Sequence, residues 1–354
     1  MGLPQIDIIF KSKAVTAIEE SAKGILTLIL KDDTIKTFDE KVYKGIEEVN
    51  AADWKVDNLD YIKKAFLGTP SEVRIQRMDA EATDCSSVLS RIQNQVWHYL
   101  AFPEISESQT TDVSIFIKTQ RKKHKKSYKA VLPNSPSDDE GVINFTTDEI
   151  KTSDKTYSTA QFCPRLAGVF AGLGFDRSAT FFDFPDVLSI KEHENPDEDI
   201  DSGKLILIND GKKIKIGRAV NSFKTFTPEK SKSFSKIAVV EVMDFIKDSI
   251  HDTYSNYYIG KVKNTYFNKL AFVGAINAFL KGLVDVQALD PTSENKVYIN
   301  IDAQRQYIES QGMSLADKSD QAVKMMNTDA WLFIRGDNIK PLDAMEDLKM
   351  VGSF

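Results

Sequence analysis

The chain has 354 residues, 42% hydrophobic and 28% charged, with a formal net charge of −6. That composition is ordinary for globular proteins and suffices for about two domains of roughly 100–200 residues each. The acidic balance disfavours general nucleic-acid binding, and charged or polar residues interrupt every apolar stretch before the ~18 residues a membrane span needs.

In chain order, Ile6, Ile8 and Phe10 alternate with Gln5, Asp7 and Lys11, the period of a half-buried strand. Residues 1–10 hold Asp7 and no basic residue, which predicts neither a secretory signal nor a transit peptide. A compact apolar run at 25–30 predicts a buried strand. Leu59, Ile62, Lys63 and Phe66 predict an amphipathic helix stopped by Gly68-Thr69-Pro70. Residues 73–78 alternate as a strand. Residues 88–97 are predicted helical, with Val88, Ile92 and Val96 on one face. An extended stretch at 99–105 precedes a helix lined by Val113, Phe116 and Ile117. Strands are expected at 128–132 and 142–145. Phe162, Leu166, Val169 and Phe170 recur at helical spacing up to Gly172 and Gly174, and Pro164 is expected in that helix's first turn. This alternation from about 25 to 175 argues for an α/β layer domain.

The second half reads differently. An acidic connector at 193–201 leads to strands flanking Asp210-Gly211, a hairpin signal, and 224–236 reads as a loop. Two long helices follow at 237–254 and 266–284, the second with Leu270, Val273, Ile276, Phe279, Leu280 and Leu283 on a broad face. Strands are expected at 297–301 and 330–334. Between them a helix within 314–327 groups Leu315, Ala322 and Met325 and carries Lys318 and Lys324. At the end Leu348 and Met350 alternate with Asp347 and Lys349, a second terminal strand pattern. Termini are usually frayed and polar, so strands at both extremities suggest pairing with an open sheet edge on another copy.

The inventory of chemistry is sparse. His98, His124, His193 and His251 lie at no metal-ligand spacing, and Cys85 and Cys163 read as small buried apolar residues in a reducing cytoplasm. The basic run 121–126 ends a helix, where it complements the dipole. Gly172-Leu173-Gly174 reads as a helix end rather than a dinucleotide loop. Asn144-Phe145-Thr146 matches a glycosylation sequon by pattern only, and no phosphate loop or nucleophile elbow occurs. No catalytic, cofactor or metal residue is expected.

Several segments together resemble a known family. These are GLPQIDIIFKSKAVTAIEESAKGILTLILKD near the start, IDSGKLILINDGKKIKIGRAVNSF at 200–223, KIAVVEVMDFIKDSIHDTYSNYYIGKVKN at 236–264 and WLFIRGDNIKPLDAMEDL at 331–348. All four resemble contractile tail sheath proteins of tailed phages and of phage-tail-like bacteriocins of Gram-positive bacteria. The resemblance runs in order from Gly2 to Leu348 and carries no family motif in about 80–150. It implies a structural protein, not an enzyme, and an α+β, multidomain fold. A 1–18 arm would precede an α/β domain at 19–190, variable in about 80–150. A core and assembly domain at 191–342 and an arm at 343–354 would follow. It also implies hexameric rings forming a helical polymer around an inner tail tube, with baseplate and tail terminator proteins as further partners and no nucleic acid or membrane insertion. Assembly in the bacterial host cytoplasm and a place in a virion tail or released particle are expected. Ile6, Ile8 and Phe10 would donate one strand, and Leu348 and Met350 another. Trp331, Phe333, Val297 and Ile299 are candidates for the receiving sheet. Lys318 and Lys324 are candidates for contact with the tube, although an ordinary amphipathic surface helix explains them as well. A non-contractile baseplate or tail-assembly protein and an α/β enzyme with an unseen site remain the alternatives.

Overall fold

The computed structural model describes residues 24–175, 177–347 and 349. The fold is α+β. The chain divides into two compact units, a larger one running to Glu241 and resuming at Asp343, and a smaller one spanning Val242–Leu342.

The larger unit is built on β1 (Ile25–Lys31), β2 (Glu40–Tyr43), α1 (Val56–Phe66), β3 (Glu72–Met78), α2 (Ser86–Ile92), β4 (Tyr99–Ala101), α3 (Glu107–His124), β5 (Lys129–Pro133) and β6 (Val142–Phe145). After these come β7 (Ile150–Thr152), β8 (Thr156–Tyr157), α4 (Thr159–Gly172), β9 (Val187–Ser189), α5 (Pro196–Asp201), β10 (Lys204–Leu205), β11 (Leu207–Asn209) and β12 (Ile214–Ile216). Seven strands form one sheet in the order β10-β6-β5-β4-β1-β3-β2. It is parallel except for β2, which runs antiparallel to β3. The apolar run at the start of β1 is what a strand covered on both faces requires. Its period of two divides the core. Leu26, Leu28 and Leu30 pack with α1 and α4, whereas Ile29 packs with Leu89 of α2 and with Val113 and Ile117 of α3.

Helices α1 and α4 approach through glycines. A Cβ at Gly168 would stand 2.1 Å from the Ala65 carbonyl oxygen, and one at Gly172 would stand 1.7 Å from that of Gly68. At the start of α4, Ser158 and Gln161 form a capping box. That box, rather than the proline, decides where the helix begins. Pro164 therefore lies inside α4 and not in its first turn. The helix expected at 88–97 stops at Ile92. There the Trp97 indole Nε1–H donates to the Ile92 carbonyl at 2.9 Å and the Trp97 ring stacks on Tyr128, leaving Val96 67% exposed. The acidic connector contains α5, with Pro196 at its start. The β11–β12 hairpin closes over Asp210, whose Oδ1 accepts from the Lys212 and Lys213 amides while Gly211 adopts φ +83°.

The chain passes between the units within α6 (Ile237–Tyr257). The smaller unit continues with α7 (Tyr266–Asp285), β13 (Lys296–Ile299), α8 (Ile301–Ser310), α9 (Asp320–Met325) and β14 (Ile334–Asp337). Among the described residues α7 alone is long and apolar enough to cross a membrane by length and composition. Here it is a core helix that buries Phe272, Val273, Ile276, Phe279, Leu280 and Leu283. Lys269, not Leu270, occupies the next place on that buried face, and Leu270 is 42% exposed. The strand expected at 297–301 ends at Ile299 because Asn300 caps α8, its Oδ1 accepting from Ala303 N at 3.1 Å.

Candidate assembly site

Strands β13 and β14 pair antiparallel as a two-stranded sheet, with Val297 opposite Gly336 and Ile299 opposite Ile334. Val297 and Ile299 face the core. The backbone of Val297 turns away from β14: its N–H donates to Asn277 Oδ1 at 2.7 Å, and its carbonyl accepts from Asn277 Nδ2 at 2.9 Å. The Asn277 amide thus occupies the outer edge of β13 as a strand would. Bonded and non-bonded pairs alternate along an antiparallel ladder. Val297–Gly336 and Ile299–Ile334 are therefore the non-bonded pairs. The next bonded position is visible as Asn300 N–H to the Phe333 carbonyl at 2.9 Å. The N–H and C=O groups of Ile334 and Gly336 consequently point outward from β14. No hydrogen bond is made to them among the described residues.

The second strand lies later than the sequence implied. The 330–334 stretch is a turn and an irregular segment, and the strand proper is Ile334–Asp337. The turn closes at Thr328. Trp331 N–H donates to the Thr328 carbonyl at 2.8 Å, and Thr328 Oγ1–H donates to the Trp331 carbonyl at 2.5 Å. Trp331 and Phe333 sit just ahead of β14, stacked with centroids 6.1 Å apart, and Trp331 is 59% exposed.

A buried lysine holds this turn. Lys269, 2% exposed, donates through Nζ to Thr328 Oγ1 at 2.7 Å and reaches Gln304 Oε1 at 3.5 Å. Asn264 Nδ2 donates to the carbonyls of Asp329 at 2.7 Å and Trp331 at 2.9 Å. Gln304 Nε2 donates to the Val323 carbonyl at 2.6 Å, which ties α8 to α9. Burial holds Lys269 below the usual lysine value of 10.5. Beside it lies a cavity of about 730 Å³, lined by Tyr254, Tyr258, Phe272, Trp331 and Ile334 among others.

The helix expected within 314–327 is only α9. Lys318 lies before it in an exposed turn, its N–H bonded to the Leu315 carbonyl, while Lys324 lies within α9 and is half-buried. Leu315 and Val323 anchor the segment on Ile308, and Met325, expected on the apolar face, is 57% exposed. Ile6, Ile8, Phe10, Leu348 and Met350 lie outside the described residues.

A second constellation, on the larger unit, has no counterpart in local sequence pattern. The Glu346 side chain is 5% exposed and pairs with Arg218 at 3.3 Å and Lys236 at 3.1 Å, while Thr180 Oγ1–H donates to its carboxylate at 2.6 Å. Lys236 also pairs with Asp343, and Arg218 with Asp347 at 2.7 Å. The three acids form an i, i+3, i+4 pattern whose basic partners lie more than a hundred residues away. Nothing local signals that pairing.

A family profile described as "Phage tail sheath C-terminal domain" matches residues 229–354. The "Tail sheath protein" of Clostridium phage phiCD119 is 31% identical over 361 residues, covering 99% of this chain and 98% of that one. Among solved structures, the sheath tail protein Lin1278 from Listeria innocua superposes with a TM-score of 0.70 at 15% identity, covering 85% of this chain and 94% of its own. The helical sheath of the anti-feeding prophage in its contracted state superposes with a TM-score of 0.67 at 12% identity, covering 94% of this chain and 93% of its own.

Proposed function

The chain belongs to the phage tail sheath protein family, whose members are structural and not enzymatic, and from that premise we propose that it polymerises as stacked hexameric rings around an inner tail tube and shortens on a baseplate signal to drive the tube through a cell envelope. The observation that carries the polymer is the outward edge of β14, unpaired among the described residues. An open edge of this kind is completed by a donated strand: backbone hydrogen bonds bind, and alternate side chains set register. Residues 1–18, through Ile6, Ile8 and Phe10, and residues 343–354, through Leu348 and Met350, are the donors in this reading. Trp331 and Phe333 flank the receiving edge, and Val297 and Ile299 root the sheet in the core. Because donor and acceptor are different segments of the chain, the contact is head-to-tail and propagates into rings or open helices.

A single arm grips weakly, since ordering its residues offsets much of what burial and ladder bonds contribute. Many linked contacts then stabilise the polymer together, which suits a subunit templated by a tube and baseplate and closed off by a terminator. Shortening needs two packings of the same subunits, the extended one held kinetically, with surface ion pairs exchanging in concert between them. Lys318 and Lys324 are the proposed tube contacts. Assembly in the host cytoplasm and a place in a phage tail or a headless particle follow from the same reading.

Negative-stain microscopy of the full chain co-expressed with its tube protein tests it. Long striated cylinders support a sheath, whereas a disc supports the baseplate alternative. Removing residues 1–11 or 348–354 is expected to abolish cylinders and leave a folded subunit. Cylinders from both truncations would rule out strand donation.

A further inference from the structure

The contacts around Glu346 form a built site. Its walls come from three separate places in the larger unit: the 178–180 turn, the residues following β12, and the residue preceding α6. Thr180 Oγ1 accepts from the Ala219 amide at 3.0 Å and from Ser178 Oγ at 3.1 Å, so its hydroxyl hydrogen is aimed at the Glu346 carboxylate. Ile237 N–H donates to the Ala219 carbonyl at 3.1 Å, and Val220 bridges Lys236, which sets Arg218 and Lys236 side by side. Two cations and one hydroxyl thus converge where a single carboxylate, nearly excluded from water, satisfies all three. A charge-assisted group of this kind is strong when complete and costly when one member is missing. The bound segment has a definite register. Asp343, Glu346 and Asp347 point to the cations, while Ala344 and Met345 point to solvent, Met345 being fully exposed. These residues directly precede the proposed C-terminal donor strand.

We propose that Thr180, Arg218 and Lys236 form a peptide-binding cradle for an acidic Asp-x-x-Glu-Asp segment, and that its engagement by residues 343–347 fixes the point from which the C-terminal arm departs toward a neighbour. This rests on the strand-donor reading above. An arm that starts from a fixed root loses less freedom on reaching the receiving sheet, so the cradle raises the effective concentration of the donor strand. It also places the pull on that strand on an ion-pair cluster rather than on free chain.

The test uses the full chain with Arg218→Glu, with Glu346→Arg, and with both together. Each single variant is expected to raise the protein concentration needed for cylinders by about tenfold or more, the scale of one broken buried charge contact. The thermal midpoint of the larger unit is expected to fall in the single variants and to recover in part in the double variant, and amide exchange at 343–347 to accelerate in the single variants. The double variant is expected to restore cylinders in part. If the wild type makes cylinders and both single variants match it at every concentration, the cradle proposal is overturned. So it is if the 343–347 amides of the wild type exchange as fast as those of a free peptide. If the wild type makes no cylinders at all, the strand-donor reading fails instead, and the exchange data alone judge the cradle.

Discussion

In the larger unit a seven-stranded sheet is covered on both faces by helices, and its end strands are short: β2 has four residues and β10 has two. In the smaller unit a two-stranded sheet keeps one edge open among the described residues, and large apolar side chains stand in solvent, among them Phe267 at 77%, Trp331 at 59% and Ile259 at 58%. Of the largest fully buried side chains among the described residues, only Phe272 belongs to the smaller unit. The larger unit exposes such side chains too, Val56 at 85% and Leu188 at 62% among them, but spreads them over about twice the length and blunts its sheet edges. The smaller unit combines dense apolar exposure with an open edge, the combination suited to contact with another chain. The difference assigns stability to the first unit and association to the second.

The strongest way to break that contrast is to damage the larger unit's core. Gly168→Val forces side-chain atoms onto the Ala65 carbonyl, where a Cβ has no room. We expect a loss of about 3 kcal/mol or more in denaturant unfolding, with the yield of folded subunit for assembly reduced in step. An unchanged midpoint would show that α1 and α4 part easily.

A smaller loss is expected at Asp32, which accepts from the amides of Thr34 at 2.8 Å and Lys55 at 2.9 Å and from Asn58 Nδ2 at 2.8 Å. Burial pushes this carboxyl up, but the hydrogen bonds from Asn58, Lys55 and Thr34 outweigh it and hold the group below its usual 3.8. Its contribution is therefore present above pH 3.8 and is lost as pH falls through the lower folded value. Asp32→Asn should cost about 1–3 kcal/mol at neutral pH, and the gap to wild type should narrow in acid. A gap independent of pH would show that the charge plays no part.

Lys269 tests the smaller unit. Its folded value lies below the usual 10.5 because burial disfavours the ammonium, so this group alone makes stability rise with pH between the lowered value and 10.5. Lys269→Met should remove that rise while changing stability at neutral pH by less than about 1.5 kcal/mol, read as the difference between two unfolding series. A rise of equal size in the variant would assign it to other groups.

The smallest effect on stability and the sharpest on function is expected at Gly336. Proline there removes an outward N–H and leaves the pairing with β13 in place, a position where edge strands tolerate it. Gly336→Pro should shift unfolding by less than about 1 kcal/mol and still abolish cylinders. Normal cylinders from this variant would place strand acceptance elsewhere.

Local pattern alone determined much of this protein. The apolar run that opens β1, the helix stopped at Gly68-Thr69-Pro70, the hairpin at Asp210-Gly211 and the long helices α6 and α7 stand where periodicity and turn residues place them. Each depends on neighbours within a few positions. Tertiary structure decided the rest. The indole of Trp97 cut α2 short, and a lysine rather than a leucine took the buried place on α7. The turn tied by Thr328 delayed β14 to Ile334. Asn277 and Val297, or Arg218, Lys236 and Glu346, meet across stretches of chain whose residue types carry no mark of one another. The physical reason is range: propensity and periodicity act over a turn or a strand, whereas a buried polar group takes whichever partner the finished fold brings within about 3 Å.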